Sequence, residues 1–73
     1  MKRGDLIRIY AHSHGYPPGY KMGEPVIRFS SDTTGIYLDE NVEVGGGYDR
    51  TFYNVITDRG VINIFSGYTG EVA

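Results

Sequence analysis

The chain has 73 residues and no cysteine, so it is long enough for one domain, residues 1–73, and can hold neither disulfides nor thiolate metal sites. Its formal net charge of −2 is unevenly spread: residues 1–30 carry five basic against two acidic side chains, residues 31–73 two against seven. That leaves no broad basic surface of the kind a nonspecific duplex binder needs, and no apolar run approaches the ~18 residues of a membrane span.

Gly4 and Asp5 open the first predicted strand, residues 6–10, where Ile7 and Ile9 share one face and Leu6, Arg8 and Tyr10 the other. Period two points the isoleucines to the core and Arg8 to water. Residues 11–25 follow as a long irregular stretch. Gly15, Gly19 and Gly23 recur every fourth residue there, but Pro17, Pro18 and Pro25 forbid a helix. An ordered loop of turns and extended pieces is expected, with Tyr16 and Tyr20 folded back on the body.

Residues 26–29 form a short extended piece suited to an edge, and residues 30–34 a polar turn. The next strand spans residues 35–39 and continues its alternation through Val42 and Val44, with Ile36 and Leu38 predicted inward and Tyr37 outward. Gly45, Gly46 and Gly47 must turn, because three glycines gain no packing in a strand. Residues 48–57 form the longest strand candidate, Tyr53 and Val55 on one face and Phe52, Asn54 and Ile56 on the other. Asp58, Arg59 and Gly60 then make a tight hairpin with Gly60 at positive φ. Residues 61–66 return with Ile62 and Ile64 inward, residues 66–70 make a 3₁₀ turn, and residues 71–73 close the sheet.

Five strands in so short a chain imply one sheet curled on itself. The Gly4-Asp5 start, Ile7 and Ile9, the long loop, Gly35 and Ile36, the hairpin from Tyr53 and Val55 to Asp58 and Gly60, and the final Glu71-Val72 together resemble the small five-stranded SH3-like barrels. Many short proteins of tailed phages, cyanophages among them, look alike in this way. Residues 35–41 also resemble the first motif of Sm-like proteins, and Arg59-Gly60 resembles the Arg-Gly of their second. These resemblances imply an all-β, strongly bent, five-stranded antiparallel barrel. The Sm-like one further implies self-assembly, in the form of a ring, and single-stranded RNA held near Tyr37, Asn41, Arg59 and Gly60. A phage protein would act in the host cytoplasm; a soluble cytoplasmic protein is expected in either case, since residues 1–4 lead into the first strand without a signal-peptide core.

Catalytic chemistry has no signature here, and so small a barrel has little room for a cleft. Gly45–47 is not a phosphate loop, because no Lys-Ser/Thr pair and no helix follow it. His12 and His14, two residues apart, would share one side of a strand, but no third metal ligand is near in sequence. No enzyme activity, cofactor or metal is expected. Seven tyrosines are the compositional oddity. Tyrosine supplies contact area at low entropic cost and is enriched at interfaces. A second functional reading therefore places a protein–protein contact on Tyr16, Tyr20 and Met22.

Overall fold

The computed structural model describes residues 1–72. Seven strands follow in chain order: β1 (Leu6–Ile9), β2 (Ser13–Gly15), β3 (Ile27–Phe29), β4 (Thr33–Gly45), β5 (Tyr48–Thr57), β6 (Gly60–Phe65) and β7 (Thr69–Glu71). A single 3₁₀ turn, Ser66–Tyr68, links β6 to β7. Among the described residues there is no helix long and apolar enough to cross a membrane.

Five strands form one antiparallel sheet in the order β6-β5-β4-β1-β7. β6 and β7 are its edges and do not pair with each other, so the sheet is all-β and antiparallel as expected but is not closed by a ladder. β2 and β3, at either end of the long excursion between β1 and β4, form a separate two-stranded sheet in the register Ser13↔Phe29, His14↔Arg28 and Gly15↔Ile27. Sequence reading missed β2, because three residues are too few to show a period. The extended piece at 26–29 does pair, and β2 is its partner.

Ile7, Ile9, Val55, Ile62 and Ile64 are fully buried, and Phe29, Tyr37 and Phe52 nearly so. Each aliphatic side chain removed from water contributes about 1.5–3 kcal/mol, and the period-two pattern of β1, β5 and β6 delivers five of them to one interior. The 57–60 hairpin closes as expected, with Gly60 at φ +90° and the Thr57 hydroxyl accepting from the Arg59 amide at 3.0 Å.

β4 corrects the sequence reading. Ile36 is 40% exposed and Tyr37 only 5%, the reverse of the expected faces, while Leu38 is half-buried. The cause lies one residue earlier. A Cβ on Gly35 would stand 2.5 Å from Val55 Cγ1 and 2.8 Å from the Ile56 carbonyl oxygen, so only glycine fits facing inward there. Period two then turns Tyr37 inward after it. The ring packs edge-on to Tyr53, centroids 5.4 Å apart, and its hydroxyl escapes the core by donating to Glu40 Oε1 at 2.9 Å. A bulge between Tyr37 and Asp39 resets the phase behind it.

The last strand is also shifted. It spans Thr69–Glu71 rather than 71–73, because Thr69 leaves the 3₁₀ turn already extended and pairs with Ile9. Ala73 lies outside the described residues.

Candidate functional site

The 11–25 excursion is tied down at its neck and at its far end. The Ala11 amide donates to Asp32 Oδ1 at 2.8 Å, and the His12 amide to the Phe29 carbonyl at 2.7 Å with His12 at φ +67°. Beyond β2, Tyr16 joins the free edge of β6: its amide donates to the Asn63 carbonyl and the Asn63 amide to its own carbonyl, both at 2.8 Å. Two tight turns follow. The Tyr20 amide donates to the Pro17 carbonyl and the Glu24 amide to the Lys21 carbonyl, each at 3.1 Å, with Gly19 and Gly23 at positive φ.

This fastening lays the tyrosines against the outer face of β5 and β6. Six rings form an unbroken chain: Tyr20 to Tyr16 at 4.7 Å, Tyr16 to His14 at 5.5 Å, His14 to Tyr68 at 5.4 Å, Tyr68 to Phe65 at 5.5 Å, and Phe65 to Phe52 at 5.7 Å. His14 Nε2 lies 3.3 Å from the Tyr16 hydroxyl. Phe52 and Phe65 are brought together by strand register, as opposite members of the β5–β6 ladder.

Two cavities open along this chain. One of about 730 Å³ lies between His14, Tyr48, Phe65 and Tyr68. The second, of about 570 Å³, lies between Pro17, Tyr20, Asn41 and Asn63. Tyr16, Arg50 and Phe52 line both, so the two make one furrow. Its floor is aromatic, and polar side chains, Asn41, Glu43, Arg50, Asn54 and Asn63 among them, make up much of its walls. The Arg50 guanidinium sits 5.1 Å over the Tyr48 ring and donates to its hydroxyl at 2.7 Å. That hydrogen bond is the main cause that raises the Arg50 pKa further, so the group stays charged. Asn63 Nδ2 donates to Asn41 Oδ1 and Asn54 Oδ1, both at 2.9 Å, and Asn54 Nδ2 donates to Asp39 Oδ1 at 2.6 Å. This amide ladder bounds the furrow on the side away from the phenylalanines.

The predicted site residues distribute unevenly over this geometry. Tyr16 and Tyr20 line the furrow, whereas Met22 stands 99% exposed in the second turn and lines neither cavity. Asn41 is on the furrow wall. Tyr37 is in the core, and Gly60 sits opposite Thr57, five residues along β5 from Phe52, the partner of Asn41. At strand rise that is about 17 Å. Arg59 is turned to the β2–β3 sheet, where it donates to the Arg28 carbonyl at 2.6 Å and lies 5.4 Å over the Phe29 ring. Tyr37, Asn41, Arg59 and Gly60 therefore do not converge on one pocket.

His12 lies outside β2 with a left-handed backbone, so it and His14 are not alternate members of one strand as expected. Among the described residues, no group of three His, Asp or Glu side chains is placed to hold a metal ion. Sequence reading did not single out His14, Arg50, Phe52, Phe65 and Tyr68 as neighbours. The signal for the two phenylalanines was present in the hairpin register, since closing at 57–60 pairs residue 52 with residue 65.

No family model, curated protein or solved structure matches this chain.

Proposed function

We propose that this chain is a non-enzymatic protein–protein interaction module of SH3-like architecture, and that it takes an extended segment of a partner protein in the aromatic furrow. The observation that carries the reading is the six-ring chain, held in place by the Tyr16–Asn63 bridge and backed by the β5–β6 ladder. A shallow groove with an aromatic floor and polar walls suits an extended backbone, whose side chains fill successive pockets while its amides meet the polar rim. The strand order supports the architecture: an antiparallel β6-β5-β4-β1-β7 sheet, a long excursion between β1 and β4, and a 3₁₀ turn before the last strand. The furrow has one guanidinium, Arg50, against the carboxylates Glu43 and Asp49. That balance favours peptide over a phosphate backbone.

Selection from a displayed library of random peptides tests the reading. Selected peptides should bind the wild-type chain and lose at least tenfold in affinity for the Tyr16→Ser, Tyr20→Ser double variant. Their affinity should change little between about 50 and about 300 mM salt, whereas phosphate contacts weaken steeply over that range. A library that yields no binder, or binders indifferent to the double variant, would overturn the reading. Retention of oligo-uridine with a steep salt dependence would replace it with a nucleic-acid one.

A further inference from the structure

The outer face of the sheet carries a second feature that the furrow does not use. Leu6 lies opposite Ile36, Ile36 opposite Ile56, and Ile56 opposite Val61. Four aliphatic side chains thus form one straight row across β1, β4, β5 and β6, and they are 55%, 40%, 41% and 38% exposed. At its β1 end the row runs on into a surface hollow shared by Leu6, Met1 and Val72. Scattered surface aliphatics are ordinary, but a contiguous apolar row on an open sheet face marks a contact surface.

We propose that this row is the centre of a symmetric dimer of the chain, two sheets packed outer face to outer face. Self-complementarity argues for a second copy as the occupant. A two-fold axis running along the strands, midway between Ile36 and Ile56, maps the row onto itself: Leu6 meets the second copy's Val61 and Ile36 meets its Ile56. Charge agrees with that arrangement. Arg8 follows Leu6 on the same face, and Asp58 lies in the turn beyond Ile56, so the same axis brings Arg8 of each copy over the Asp58 turn of the other. Arg59, the cation that would oppose Arg8, is drawn away to the Arg28 carbonyl. On the other flank Asp39 comes over the second copy's Asn54, an acceptor facing an amide.

The size of the surface sets the strength. A four-residue row with one polar residue on either side reaches only the lower end of specific interfaces, about 1,200 Å² in total. Association in the micromolar range follows, in place of an obligate dimer. The row and the furrow share the outer face but are separated by the amide ladder of Asn54 and Asn63.

Sedimentation equilibrium of the 73-residue chain from roughly 10 µM to 1 mM tests the proposal, with a monomer–dimer equilibrium expected. Ile36→Lys and Ile56→Lys should each raise the dissociation constant at least about thirtyfold through an unpaired buried charge. Met22→Lys, at an equally apolar but remote position, should leave it unchanged. Methyl NMR on dilution of the wild-type chain covers the case in which a lysine variant fails to fold. The Leu6, Ile36, Ile56 and Val61 methyls should shift with concentration and those of Val44 should not. A chain monomeric at about 1 mM, a dimer indifferent to both lysines, concentration-dependent shifts outside the row, or open-ended growth by edge pairing would each overturn it, whatever the furrow binds.

Discussion

Tyr16 and Asn63 exchange two backbone hydrogen bonds at 2.8 Å across 46 intervening residues. Because both bonds are made by main-chain atoms, they survive any side-chain change that keeps the backbone N–H. Tyr16→Ser should therefore retain the fold and lose the ring contacts with Tyr20 and His14 together with the hydroxyl contact to His14 Nε2, the two ring pairs alone contributing about 1–3 kcal/mol. Hydrogen exchange checks this directly. The amides at 16 and 63 should stay protected in the serine variant while peptide binding is lost.

Tyr37 supplies a pH dependence. Burial, then the hydrogen bond to Glu40 and the charges of Glu40 and Asp39, push its pKa from 10.0 to about 12. The folded state thus holds the phenol proton more tightly than the unfolded chain. The stabilisation is complete below pH 10 and disappears as pH rises through about 12. Absorbance titration should show one of the seven tyrosines ionising late, and Tyr37→Phe should remove that late step. A wild-type titration complete before pH 11 would contradict the burial of this ring.

Gly35→Ala should be the most damaging single methyl in the chain. The added carbon meets Val55 Cγ1 and the Ile56 carbonyl at distances that force the β4–β5 ladder apart. Overpacking of this kind costs about 1–3 kcal/mol, a large part of the roughly 4–11 kcal/mol available to a chain of this length. Gly46→Ala, where nothing lies within 4 Å, meets only its φ of +62° and should cost less. Urea denaturation of the pair measures the difference.

Arg59→Ala should loosen the β2–β3 sheet without unfolding the main one. It removes the bond to the Arg28 carbonyl and the contact over Phe29, about 1–2 kcal/mol together. Faster amide exchange confined to residues 12–15 and 27–29 is the expected signature.

Much of this architecture was legible in the residues. β1 and β6 alternate cleanly, β5 adds Val55 on the inner face, and together they contribute five fully buried aliphatics, while the turn at 57–60 follows from Gly60. The phase of β4 was not legible, since Gly35, Ile36 and Tyr37 alternate equally well in either phase. What decides it is a close approach to β5 that no one-dimensional pattern records. Tyrosine compounds the difficulty, because it buries its ring while its hydroxyl finds a partner at the rim. The furrow was legible by half. Tyr16 and Tyr20 announce themselves in a proline-rich loop, but their partners Phe52, Phe65 and Tyr68 come from strands and a turn some 30 to 50 residues on.

The β4–β5 ladder extends past its neighbours. β1 covers β4 only as far as Ile36, and β6 covers β5 only to Phe52, so from Val42 and Thr51 outward to the glycine turn the ribbon has two strands and no third. Val42 and Val44 are correspondingly 52% and 82% exposed. A lone pair of strands is barely stable by itself in water, and such pairs form in microseconds. This ribbon carries Glu43, Tyr48 and Arg50, so one bank of the furrow is a cantilever. On the function proposed above, such a ribbon is the part of the fold free to bend and reseat around differently shaped partner segments while the aliphatic interior stays shut, one adaptable jaw on a small rigid scaffold.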